Sequence, residues 1–162
     1  MRLDDFNRLP DEAAEAELLR CCGSIRWARL MAAARPFSSL EAIGARADTI
    51  WWSLGTEDWL EAFRAHPRIG ARADSVWSAQ EQSRARDASE AVRRRLHAAN
   101  EAYEARFGYI FIVCASGKSA AEMLALLQQR LHNDAATEIR VAAEEQLRIT
   151  ELRLRRPGAA SG

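Results

Sequence analysis

Residues 89–108, SEAVRRRLHAANEAYEARFG, decide the fold. Val92, Leu96, Ala99 and Tyr103 recur three or four apart, the spacing that gives a helix one apolar face. Gly108 is placed to close that helix, because glycine accepts the left-handed backbone of a C-terminal cap at no steric cost. Beyond it, Tyr109 to Ala115 is β-branched and aromatic and reads as an extended or buried connector, with no second strand candidate to pair with it. Ser119 and Glu122 then form a capping box ahead of Met123, Leu124, Leu126 and Leu127. A last helix is predicted from about Asp134 to Arg155, with Ile139, Ala142, Ala143, Leu147 and Ile149 facing inward.

The same punctuation continues towards the N-terminus. Thr56 is read as the cap of a short helix holding Trp59, Leu60 and Phe63, whose end is set by Pro67. Ser39 starts a helix that runs through Trp51 and Trp52 to Gly55. Ser24 caps another, with Ile25, Ala28, Leu30 and Met31 near one face, stopped by Pro36. Pro10-Asp11 opens a further segment through Ala13, Leu18 and Leu19 that ends near Gly23. The expectation is an all-α fold: a single compact multi-helix domain over residues 1–156, with 157–162 as a flexible tail.

At 162 residues the chain is long enough to bury a core without disulfide or metal staples. Lys+Arg and Asp+Glu balance at 23 each, which argues against nucleic acid or an anionic membrane as partner. A helix-turn-helix DNA reader would need a basic face, for which only the Arg84–Arg95 region offers itself. The basic end, Arg153, Arg155 and Arg156, reads as a solvated helix terminus. No segment approaches the ~20 apolar residues of a membrane span, and the opening Met-Arg-Leu-Asp-Asp-Phe has no apolar core of a secretory leader. Cys21, Cys22 and Cys114 are odd in number, and two are adjacent, which suits buried thiols in a reducing cytoplasm.

Three histidines are present: His66, His97 and His132. His97 sits beside Arg93, Arg94 and Arg95 and is read as solvated. His132 is read as lying in the last turn of its helix, where the dipole favours positive charge. His66 stands in Ala65-His66-Pro67-Arg68-Ile69-Gly70, where proline fixes the following dihedrals and glycine allows a tight bend. A rigid turn presenting one imidazole suits general acid–base chemistry near neutrality; a helix-ending turn with a surface histidine fits the same spacing. Ser78, Glu81 and Gln82 share a face if their segment is helical, either as a capping pattern or as a hydroxyl, carboxylate and amide aimed at a polar ligand. No metal-ligand spacing, phosphate-binding glycine turn or Gly-x-Ser-x-Gly elbow occurs. The tryptophans, Trp27, Trp51, Trp52, Trp59 and Trp77, read as core and interface. From the residues alone, a helical interaction module with a structural His-Pro turn competes with an enzyme.

The ordered set His66-Pro67-Arg68-Ile69-Gly70, Ser78-x-x-Glu81-Gln82, Asn100-x-x-Tyr103-x-x-x-Phe107-Gly108-Tyr109 and Arg130-x-x-Asn133 resembles one known family. Glu138, Ala142, Glu145, Ile149 and Leu152-Arg153-Leu154 continue the pattern. The family is 2-oxo-4-hydroxy-4-carboxy-5-ureidoimidazoline (OHCU) decarboxylase, a carboxy-lyase of urate degradation that forms (S)-allantoin. One departure is Ala85-Arg86, where family members often carry Ala-Gly. The resemblance implies an all-α homodimer working on a small molecule without metal or organic cofactor. It implies His66, Glu81 and Arg153 as catalytic residues. It also implies that Pro67, Ser78, Ala79, Gln80 and Gln82, together with Val113, Cys114, Ala115, Ser116 and Gly117, bind substrate.

Overall fold

The structure, a computed structural model, describes residues 2–67 and 90–155. Among these residues eight α-helices and no strand occur: α1 (Leu3–Arg8), α2 (Asp11–Cys21), α3 (Ile25–Ala33), α4 (Leu40–Ser53), α5 (Thr56–Arg64), α6 (Glu90–Phe107), α7 (Ala120–Arg130) and α8 (Ala135–Arg155). The expected all-helical class holds over these residues. The proposed tail and the segment carrying Ser78 to Gln82 lie outside them.

Local chemistry sets the helix ends. Ser24 Oγ accepts from the Trp27 N–H at 3.2 Å and Ser39 Oγ from the Ala42 N–H at 3.1 Å, each satisfying an amide with no intrahelical partner. At α7 the box is reciprocal: the Glu122 N–H reaches Ser119 Oγ at 3.1 Å, and the Ser119 N–H reaches the Glu122 carboxylate at 3.3 Å. Gly108 ends α6 at φ 85°, its N–H donating to the Glu104 carbonyl at 2.8 Å.

Two boundaries differ from expectation. Thr56 is the first residue of α5 rather than its cap, and the Asp58 carboxylate reaches back to the Gly55 N–H at 3.3 Å. His132 lies beyond the end of α7, exposed, with its N–H on the Gln129 carbonyl at 3.2 Å. Helix α1 was not anticipated. Six residues are too few to be stable alone. Tertiary bonds hold it: Asn7 exchanges two 2.9 Å bonds with the Phe37 backbone, and Arg35 Nη1 donates to the Phe6 and Leu9 carbonyls at 2.9 and 2.7 Å.

The chain divides into two compact units, Met1–Ala62 with Gln146–Gly162, and Phe63–Glu145. In the first, α2 packs on α3 and α3 on α4. Its core includes Trp27, Met31, Ala47 and Trp51, and the Trp27 indole N–H donates to the Ala47 carbonyl at 3.3 Å. Fully burying side chains of this size contributes about 1.5–3 kcal/mol each. Cys21 and Cys22 are buried here, as the sequence reading expects. Burial pushes the Cys21 thiol up to about 11, with the Arg153 charge opposing, and the Cys22 thiol up to about 12.

In the second unit α6 packs against α7 around Leu96, Tyr103, Phe111, Val113, Met123 and Leu127. Helix α8 contributes to both units: of the residues expected inward on it, Ala142 and Ala143 in the second are buried and Ile139 half-buried, while in the first Leu147 is buried and Ile149 half-buried. That helix also buries Glu138, Glu145, Gln146 and Thr150, which hydrophobic periodicity does not detect. No described helix is long and apolar enough to cross a membrane.

Candidate active site

Helix α5 ends at Arg64 because Pro67 disfavours helical dihedrals for the residue before it. The His66 N–H donates to the Phe63 carbonyl at 3.1 Å, closing the turn and leaving the imidazole half-buried outside the helix. It lines a cavity of about 580 Å³ with Arg64, Pro67, Glu104, Gly108, Tyr109 and Ile110. This lies within the range of about 300–1,000 Å³ typical of small-molecule sites. An arginine, a glutamate and a histidine therefore border one cavity. Tyr109 packs its ring on Phe63, 5.3 Å between centroids, and burial raises the pKa of its hydroxyl.

Behind this wall is a buried polar network. The Tyr103 hydroxyl donates to Glu138 Oε2, and burial together with that bond pushes its pKa far above the ordinary tyrosine range. Arg130 donates to the same carboxylate from Nε at 2.9 Å and Nη2 at 2.6 Å, and Asn133 Nδ2 reaches Glu138 Oε1 at 3.0 Å. The guanidinium also lies 4.4 Å from the Phe111 ring centroid. Thus Tyr103, Arg130, Asn133 and Glu138, quoted above only as a pattern, form one charge-compensated core.

The connector after Gly108 carries the other predicted ligand-binding residues. Phe111, Val113 and Ala115 all pack in the hydrophobic core of this unit, the period-two alternation of an extended chain. With no strand beside it among the described residues, the connector is fastened by side chains. Arg130 Nη1 donates to the Ile112 carbonyl at 2.7 Å, and Glu145 Oε1 accepts from the Cys114 N–H at 3.0 Å. Lys118 Nζ donates to the Cys114 carbonyl at 2.8 Å. Gly117 turns the chain at φ 78°, and it and Ser116 are exposed.

The predicted site residues are thus distributed as follows. His66 and Pro67 line the cavity, and among the described residues Val113, Cys114, Ala115, Ser116 and Gly117 do not. Ser78, Ala79, Gln80, Glu81 and Gln82 lie outside the described residues. Arg153 is half-buried on α8 within the first unit, near Cys21. Sequence reasoning missed Arg64 and Glu104 as cavity residues. The usable signal was position: Arg64 precedes His66 by two residues and Glu104 lies one helical turn before Gly108. Of the remaining histidines, His97 is exposed and pairs with Glu101 at 2.7 Å. Trp27 and Trp51 are buried and Trp52 and Trp59 half-buried, while Trp77 lies outside the described residues.

Comparison with known proteins gives this geometry a context. The model of the OHCU decarboxylase family matches residues 7–155. The chain is 42% identical over 152 residues to the uric acid degradation bifunctional protein TTL of Arabidopsis thaliana, covering 88% of this chain and 47% of that protein. It therefore spans about half the length of that relative. It is 26% identical over 162 residues to 2-oxo-4-hydroxy-4-carboxy-5-ureidoimidazoline decarboxylase of Haloferax volcanii, covering 95% of this chain and 94% of that one. A crystal structure of an OHCU decarboxylase in the presence of (S)-allantoin superposes with a TM-score of 0.78 at 36% identity, covering 90% of this chain and 96% of that one. A structure of (S)-allantoin synthase, at 20% identity and a TM-score of 0.73, shares the fold. With the family model spanning nearly every residue, the chain belongs to the OHCU decarboxylase family.

Proposed function

We propose that this chain decarboxylates 2-oxo-4-hydroxy-4-carboxy-5-ureidoimidazoline to (S)-allantoin. We further propose that it works as a cytoplasmic homodimer without metal or organic cofactor. The observation that carries the reading is His66, fixed at the exit of α5 and half-buried in the wall of a cavity of about 580 Å³, in a chain of this family.

The substrate carries a carboxylate and a hydroxyl on one ring carbon, beside an imine and a ureido group. Loss of CO2 leaves electron density on that carbon, which the conjugated ring accepts. The protein must hold the carboxylate out of the ring plane and deliver a proton to one face. In this reading His66 moves the proton, Glu81 orients the imidazole or stabilises its charge, and Arg153 holds an anionic or carbonyl part of the substrate through its planar fork. Pro67, the Ser78–Gln82 segment and residues 113–117 position the ligand.

The test generates the substrate in place from urate, with urate oxidase and hydroxyisourate hydrolase, and follows allantoin by circular dichroism. Added protein should accelerate the appearance of a single-handed signal. An unchanged rate of racemic product would remove the enzymatic reading and leave the interaction module.

A further inference from the structure

The connector of residues 111–115 is held as a neighbouring strand would hold it, but by charged side chains. The Ile112 carbonyl and the Cys114 N–H are two residues apart, and such groups fall on one edge of an extended chain. Arg130 takes the first at 2.7 Å and Glu145 the second at 3.0 Å. Glu145 is 7% exposed and Arg130 8%, so neither bond competes with bulk water. Lys118 closes the Cys114 carbonyl at 2.8 Å, and the Lys118 N–H returns to the Ala115 carbonyl at 3.0 Å, which fixes the turn into Ser116 and Gly117.

We infer that Glu145 is a positioning residue for the reaction: its carboxylate, with Arg130 alongside, sets the register of the 113–117 segment through the Cys114 amide. The inference rests on the proposed function only in taking that segment as part of the substrate site. A carboxylate buried against a peptide N–H is costly to desolvate, so it needs a partner there. The carboxylate supplies a bond to a backbone that has no strand partner among the described residues. A slip of one residue would exchange the Val113 and Ala115 face for that of Ile112 and Cys114, because side chains alternate along an extended chain.

The experiment compares Glu145→Ala, Glu145→Gln and Glu145→Asp in the full chain, with the exposed neighbour Glu144→Ala as control. Hydrogen exchange at the Cys114 amide and steady-state turnover are measured for each. Loss of the anchor in E145A should expose the Cys114 amide to exchange. It should raise KM about 10- to 100-fold with kcat within about threefold, the pattern expected when binding shared by ground and transition states is lost. E145Q keeps an acceptor oxygen at the same reach and should recover most of the loss, while E145D, one methylene shorter, should behave like E145A. If E145A does not fold, the contrast of E145Q with E145D decides. Unchanged Cys114 protection in E145A or E145D, a fall in kcat at constant KM, or no recovery in E145Q would each overturn the inference. If the wild-type chain shows no turnover, the functional reading fails, while the exchange arm still judges the anchor.

Discussion

Replacing Glu138 by alanine should be among the most destabilising single changes available to this chain. Glu138 is fully buried and accepts from Arg130, Asn133 and the Tyr103 hydroxyl. Without it, the Arg130 guanidinium, whose side chain is 9% exposed, stays in the core with its countercharge gone. Breaking a buried pair from one side costs about 3–5 kcal/mol, mostly the desolvation of the stranded charge. A chain of this size loses about 2–4 °C of Tm per kcal/mol, so the melting temperature should fall by about 6–20 °C. That is a large share of the roughly 5–15 kcal/mol that holds a domain together. The companion Arg130→Met/Glu138→Leu removes both charges and should lose less than E138A by at least about 1 kcal/mol, because the two sites are coupled. Urea unfolding followed by circular dichroism reads both variants from midpoint and slope. A Glu138→Ala protein within about 1 kcal/mol of wild type, or a double variant whose cost is the sum of its parts, would refute the argument that the network is a compensated buried charge.

Other outcomes follow from single positions. Gly108→Ala keeps open space around the new Cβ but forces alanine to φ 85°, so it should cost about 1–2 kcal/mol. Gly44→Ala, inside α4 and equally free of clash, should instead stabilise by about 0.5–1 kcal/mol, and denaturant midpoints give the two signs side by side. The Cys22 thiol, raised from 9.0 to about 12, stays protonated in the folded protein while the unfolded thiol ionises. Its stabilisation is therefore complete below pH 9.0 and drains away as pH climbs towards 12. Cys22→Ala should flatten the fall in unfolding free energy across that alkaline window, and an unchanged slope would contradict the burial argument. Ser119→Ala removes one half of the capping box of α7 and should cost about 1 kcal/mol, read from the same midpoints.

What could be read from the sequence was local chemistry. Ser24, Ser39, Ser119 with Glu122, and Gly108 each act on amides or dihedrals within four residues, so their roles are written beside them in the chain. The exit of α5 was legible for the same reason, since Pro67 constrains His66 directly. Longer-range relations were not. Glu138 meets Tyr103 across 35 positions and Glu145 meets Cys114 across 31, so buried carboxylates on α8 were hidden within a charged helical stretch. The sequence offers no second strand candidate to pair with the connector, but nothing local says that Arg130 and Glu145 fasten its backbone. Helix α1 escaped notice because its support comes from Arg35 and Phe37, well downstream. Arg64 and Glu104 belong to a cavity wall that exists only once α5 and α6 are folded.

The most direct test of the account is the initial rate of (S)-allantoin formation by His66→Ala, measured on protein whose melting temperature matches wild type. A half-buried side chain at a helix exit contributes little to the core, so folding should survive. The rate should drop by about 10²–10⁴-fold, the contribution of a positioned proton-transfer group. Product of the same handedness at near wild-type speed would contradict the assignment of the imidazole as the residue that moves the proton.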